Sequence, residues 1–224
     1  MKNLSHTQEY YLCAANQKGG KPSETVMACL IISGVAEMLC AGFLIRDEKK
    51  RLSADNAKPW GDALPYLAPL YEKITSTKKP QTIKDFIEKY KHSLDAYISA
   101  IVDSLSVVDA MVEFEKKGFF TKNVKRLVQV PKKEATAAVG EILRNEFLEN
   151  GKLTDDTVIL ATLLDKSGLL GSYFNKEETA TLKARMKEVR SSGTYAAINK
   201  VLTDIEDDTA MIFTAVILPI IMSD

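Results

Sequence analysis

Two groups of basic residues carry the chemistry most visible in this chain. Lys122, Lys125, Arg126, Lys132 and Lys133 surround an apolar strip made of Val124, Leu127 and Val128, and Lys49, Lys50 and Arg51 stand together earlier. Cations interleaved with aliphatic residues suit an anionic membrane surface, where each basic residue is worth about 1 kcal/mol. The same pattern suits the wing of a winged helix on DNA phosphates. It also suits a solvated strand edge whose lysines block pairing with other chains.

Catalytic and metal-binding patterns are absent from the sequence. His6 and His92 lie far apart, outside any H-E-x-x-H spacing, and read as surface residues. Gly19-Gly20-Lys21 resembles a phosphate loop but lacks the earlier glycine and the following Ser or Thr, and Pro22 removes a backbone donor. It reads as a turn. No G-x-S-x-G occurs. Cys13, Cys29 and Cys40 are an odd set in apolar surroundings, which points to free, buried thiols and a reducing compartment. Neither Cys29 nor Cys40 has a neighbouring His or Lys to lower its pKa. Asp155-Asp156 suits the first turn of a helix better than a metal. Glu37 reads as a buried acid that pairs with a backbone donor or a basic side chain. No enzymatic activity, metal or cofactor is expected.

These residues must be held by a framework, and the stretch from Thr25 to Ile45 organises it. It is apolar on nearly every side, as in a core helix or a membrane span. Glu37 in its middle favours the core helix, because a carboxylate in lipid costs several kcal/mol. The chain has 224 residues, 46% of them hydrophobic, which supports a sizeable core. Thirty basic residues balance thirty acidic ones, unlike a general nucleic-acid binder. The first ten residues carry no apolar secretion segment, so a cytoplasmic location, free or peripheral at a membrane, is the expectation.

Residues 1–7 read as a loose tail, and Gln8 to Ala15 as a short apolar strand or helix. Ser23 caps the central helix. Phe43 to Arg46 and Arg51 to Ser53 form a small hairpin around Asp47-Glu48-Lys49-Lys50. Pro65 to Ser76 and Gln81 to His92 are amphipathic helices. Leu94, Tyr97, Ile98, Ile101, Leu105, Val108, Met111 and Val112 extend a long helix that Gly118 stops. Phe119 to Pro131 is a hairpin. Helices follow over Glu134 to Asn150, Asp155 to Lys166 capped by Thr154, and from the Asn175/Glu178 capping box to Arg190. Thr194 to Asp207 and Thr209 to Met222 close the chain as helices.

The order of these elements resembles the Golgi phosphoprotein 3 family, which includes many bacterial proteins. The likeness rests on E-Y-Y-L-C-A-A-N-Q-K-G-G (Glu9 to Gly20), the core helix with Glu37 ending in G-F-L, and P-W-G-D-A-L-P-Y-L-A-P-L-Y-E-K-I (Pro59 to Ile74) followed by K-P-Q-T-I-K-D-F-I. V-E-F-E-K-K-G-F-F (Val112 to Phe120), V-I-L-A-T-L-L-D-K-S-G-L-L (Val158 to Leu170) and the apolar final helix complete it. The resemblance implies a central bundle wrapped by amphipathic helices, with one projecting β-hairpin. In eukaryotic members it implies peripheral binding to phosphatidylinositol 4-phosphate, retention of Golgi glycosyltransferases and self-association through the hairpin. The family's headgroup positions, a tryptophan and three arginines, fall on Pro22, Ile31, Ser104 and Val107 here, none of which can grip a phosphate by charge.

The expected fold is therefore mainly α: a tail over residues 1–7, then one globular helical domain over 8–224 with a buried central helix, wrapping helices and a β-hairpin. The expected function is that of a non-enzymatic peripheral membrane or adaptor protein. It would meet anionic phospholipid through Lys49, Lys50, Arg51, Lys122, Lys125, Arg126, Lys132 and Lys133, or self-associate through the hairpin. The alternative is a winged-helix-like DNA-binding module using a 93–117 helix and a 119–131 hairpin. That helix is acidic in D-A-M-V-E-F-E-K-K, so nucleic acid is not favoured.

Overall fold

The computed structural model describes residues 4–117, 125–149 and 151–191, together with Thr203 and Asp207. Much of the expected 194–207 helix and all of the expected 209–222 helix lie outside the described residues.

The chain enters through helix α1 (His6–Ala14), which starts inside the stretch read as a tail. A capping box fixes the start: the Gln8 N–H donates to the Ser5 hydroxyl, and the Ser5 N–H donates to Gln8 Oε1 at 3.1 Å. Every residue of α1 from His6 to Cys13 is buried, so His6 is an interior residue and not a surface one.

Helix α2 (Glu24–Cys40) is the greasy rod of the sequence, buried from Val26 to Met38. Ser23 caps it as read, its hydroxyl accepting from the Val26 N–H at 3.3 Å. The helix stops at Cys40, just ahead of Gly42. Gly42, at φ +74°, lets the Phe43 N–H reach the Met38 carbonyl at 2.9 Å and the Gly42 N–H reach that of Leu39 at 3.1 Å. Fully burying side chains such as Leu30, Ile31 and Ile32 contributes about 1.5–3 kcal/mol each. Gly34 makes close packing possible, since a Cβ there would lie 2.5 Å from the Tyr97 hydroxyl oxygen and 2.7 Å from Leu70 Cδ2. Glu37 finds a donor that the sequence reading did not name: the Tyr66 hydroxyl donates to its Oε1. Cys29 is buried, whereas Cys40 at the helix end is exposed, which corrects the expectation of three buried thiols.

Strands β1 (Leu44–Arg46) and β2 (Arg51–Ala54) form the expected small hairpin. A third strand, β3 (Gln81–Thr82), pairs with β2 and leads into α4 (Ile83–Tyr90). Between them, a 3-10 turn over Pro65–Leu67 starts α3 (Ala68–Thr75).

Helix α5 (Asp95–Val107) ends well short of the expected Gly118. Asp109 takes the left-handed conformation (φ +59°), the Ala110 N–H returns to the Leu105 carbonyl at 2.9 Å, and the Asp109 N–H to that of Ser106 at 3.0 Å. Aspartate thus does here what glycine usually does. The chain then turns into β4 (Met111–Lys117), paired antiparallel with β5 (Lys125–Pro131). The projecting hairpin therefore begins at Met111 rather than at Phe119.

Helices α6 (Lys133–Phe147), α7 (Asp155–Lys166) and α8 (Lys176–Ser191) follow the hairpin. Thr154 caps α7, and Asn175 and Glu178 exchange backbone-to-side-chain bonds of 2.9 Å at the start of α8, as read. Helix α7 is buried from Thr157 to Leu164 and joins α1 and α2 at the centre. No helix among the described residues is long and apolar enough to cross a membrane.

Candidate membrane-facing site

The β4–β5 hairpin is built by alternation. Val112 faces Val130, Phe114 faces Val128 and Lys116 faces Arg126 across one side of the ladder. On the other side, Glu113 faces Gln129, Glu115 faces Leu127 and Lys117 faces Lys125. Val112, Phe114 and Leu127 remain 45%, 38% and 66% exposed. Exposed apolar side chains thus precede an end at which the backbone register brings four cationic residues together. Like charges directly opposite one another destabilise a strand pair.

The base of the hairpin is anchored. Met111 and Val130 are buried, the Lys132 N–H donates to the Ala110 carbonyl at 2.9 Å, and Lys132 Nζ sits 2.6 Å from Asp109 Oδ1. The 16–20 turn supports the middle, with Gly19 at φ +65° packed so closely that a Cβ would lie 2.2 Å from Val128 Cγ2.

The residues expected to meet lipid divide accordingly. Lys125 and Arg126 open β5, while Lys122 lies outside the described residues. Lys132 is paired with Asp109, and Lys133 is exposed in the first turn of α6. Lys116 and Lys117, expected at the end of a helix, instead close strand β4 and join this group through its register. The alternation in M-V-E-F-E-K-K was the available signal.

The Lys49-Lys50-Arg51 group is elsewhere, in the β1–β2 turn. Asp47 closes this turn, accepting from the Lys49 and Arg51 backbone N–H groups at 2.9 Å each and pairing with the Arg51 guanidinium at 2.6 Å. The bond from the Arg51 side chain, then that from its backbone, holds the Asp47 carboxyl below its ordinary pKa. Lys50 Nζ lies 2.9 Å from Asp207 Oδ2. Two of these three cations therefore face carboxylates.

A groove of about 460 Å³ runs beside the hairpin between the 19–22 turn and α5, lined in part by Lys21, Pro22, Asp95, Ile98, Asp103 and Val128. Lys21 Nζ is 3.3 Å from Asp95 Oδ1, so the lysine is already paired. Of the positions expected to match a headgroup site, only Pro22 lines this groove. Ile31 is fully buried, Ser104 bonds to Gln8 Nε2 at 3.0 Å and to the Ile101 carbonyl at 2.7 Å, and Val107 is 84% exposed.

The winged-helix alternative loses its recognition helix, because residues 111–117 form a strand and α5 (D-A-Y-I-S-A-I-V-D-S-L-S-V) contains two aspartates and no Lys or Arg. Such a face repels phosphates.

The family model for Golgi phosphoprotein 3 (GPP34) matches residues 7–205. No curated protein matches the chain.

Proposed function

The chain belongs to the Golgi phosphoprotein 3 family, and on that premise we propose that it is a non-enzymatic peripheral membrane adaptor whose β4–β5 hairpin touches anionic lipid. The observation that carries this reading is the pairing of Lys116 with Arg126 and of Lys117 with Lys125 beyond exposed Phe114 and Leu127. Like charges at directly opposite register positions cost stability, an anionic surface offsets that cost, and the apolar residues add buried area on contact. At about 1 kcal/mol per cation, four cations supply on the order of 4 kcal/mol, roughly a thousandfold in affinity.

Binding follows surface charge rather than one phosphoinositide. Pro22, Ile31, Ser104 and Val107 offer no cation to a phosphate, and the nearby groove has two aspartates beside its paired lysine. The adaptor acts on the cytoplasmic side, with self-association through the hairpin as a second use of the exposed Val112, Phe114 and Leu127.

Liposome flotation tests the reading. Vesicles of neutral phosphatidylcholine are compared with vesicles carrying phosphatidylserine, and with phosphatidylinositol 4-phosphate at matched charge. Similar flotation with both anionic sets, lost in the Lys125→Glu/Arg126→Glu variant, is expected. Equal, near-zero flotation with all three vesicles removes the lipid role.

A further inference from the structure

Helices α1, α2 and α7 meet at His6, which is 1% exposed. Its Nδ1 lies 2.7 Å from Asp156 Oδ1 on α7, and its Nε2 lies 3.2 Å from the Ser33 carbonyl oxygen on α2. Both neighbours are acceptors. A carbonyl oxygen has no proton to give, and the Asp156 carboxyl is held below its ordinary pKa first by its hydrogen bond to His6. Neutral imidazole has one N–H and one lone pair, so in either tautomer a lone pair would point at an oxygen. Only the imidazolium donates from both nitrogens.

We propose that His6 is carried as a buried imidazolium that latches α1 to α2 and α7, and that loss of its proton releases the latch as pH rises. The charged groups around it come from the three helices that meet there. Asp156 belongs to α7. Glu37, with its Oε1 bonded to the Tyr66 hydroxyl and its Oε2 buried without a hydrogen-bond partner, belongs to α2. Glu9 lies on α1 itself. Beside the imidazole, the Thr7 and Ser33 hydroxyls bond at 3.0 Å, a second polar tie between α1 and α2.

Electrostatics agrees with the geometry. Burial by itself pushes the imidazole down from 6.5, but the hydrogen bond to Asp156, the charges of Glu37 and Asp156 and the Ser33 carbonyl outweigh it, so the net shift is upward. A raised folded-state value gives stability that is fully present below about 6.5, the unfolded value, and is lost as pH climbs through the folded value. Glu9 slopes the same way over a lower window. Burial, then the Asp156 charge, lifts its carboxyl from 4.5 to about 7, so its ionisation disfavours the folded chain between those values.

Because the chain has two histidines, the His92→Gln variant leaves His6 as the one imidazole to observe by nitrogen and proton NMR. The expected result is two protonated ring nitrogens at pH 7 and a midpoint above 6.5. A single protonated nitrogen at pH 7, or a midpoint at or below 6.5, overturns the proposal. Adding Asp156→Asn keeps His6 and should lower its midpoint by about one pH unit or more, and an unchanged midpoint also overturns it. Urea unfolding against pH gives the second readout. In a Glu9→Gln background the midpoint should fall as pH rises above 6.5, and His6→Gln should flatten that fall. A slope unchanged by His6→Gln counts against the latch.

Discussion

The Tyr66 hydroxyl, brought in by the 3-10 turn ahead of α3, supplies the hydrogen bond to the Glu37 carboxyl in the middle of α2. The other carboxyl oxygen, Oε2, is buried without a hydrogen-bond partner. Removing the hydroxyl would leave the entire buried carboxyl unsatisfied. Tyr66→Phe should cost about 1–3 kcal/mol in urea unfolding. In a His6→Gln background, where the Glu37 charge has no imidazolium to support, adding Glu37→Met should recover part of that loss, because an apolar pair leaves no orphaned group. A double variant less stable than Tyr66→Phe, both in that background, would contradict this account.

Asp109 gives a second test, at the junction of α5 and the hairpin. Asp109→Ala places an ordinary side chain at φ +59° and also removes the partner of Lys132. The left-handed conformation costs such a residue about 1–2 kcal/mol, and an exposed ion pair is worth about 1 kcal/mol or less. Asp109→Gly removes the same ion pair but not the conformational fit. Thermal unfolding should therefore rank Asp109→Gly near the wild type and Asp109→Ala clearly below it.

Much of the fold could be read because its signals are local. Thr154 and the Asn175/Glu178 box mark helix starts through bonds spanning three residues, and these starts fall where expected. The end of α5 was hidden because its left-handed stop is an aspartate. The strand that follows is defined by partners at 125–131 that no local window contains. His6 was misplaced for the same reason: its partners, Ser33 and Asp156, are 27 and 150 residues away. At the hairpin, Lys125 and Arg126 were legible from composition, whereas Lys116 and Lys117 joined them only once the register was known.

If lipid contact is driven by surface charge, salt should weaken it steeply. The screening length falls from about 8 Å at physiological ionic strength to about 3 Å at 1 M. Neutralising Lys125→Gln and Arg126→Gln together should cost about 2 kcal/mol, roughly 30-fold in partitioning to phosphatidylserine vesicles. Flotation indifferent to both changes would assign the attachment to the apolar residues instead.

The three thiols should separate by accessibility. Burial first, then the Glu9 charge, pushes Cys13 up to about 12, and burial pushes Cys29 to about 11. Cys40 is exposed at the end of α2, although partial burial and then the Asp155, Asp156 and Glu37 charges raise it too. A disulfide reagent at neutral pH should modify one thiol slowly in the native protein and all three in denaturant. Rapid native modification of two or more would mean that the α1–α2 interior opens readily.

The seat of Val128 on Gly19 has a mechanical consequence. The 16–20 turn packs its Gly19 against the Val128 side chain of the arm that carries the cations. A larger residue at 19 would meet both the Val128 methyl and a backbone conformation, φ +65°, that L side chains rarely adopt, so this tie between turn and arm asks for glycine.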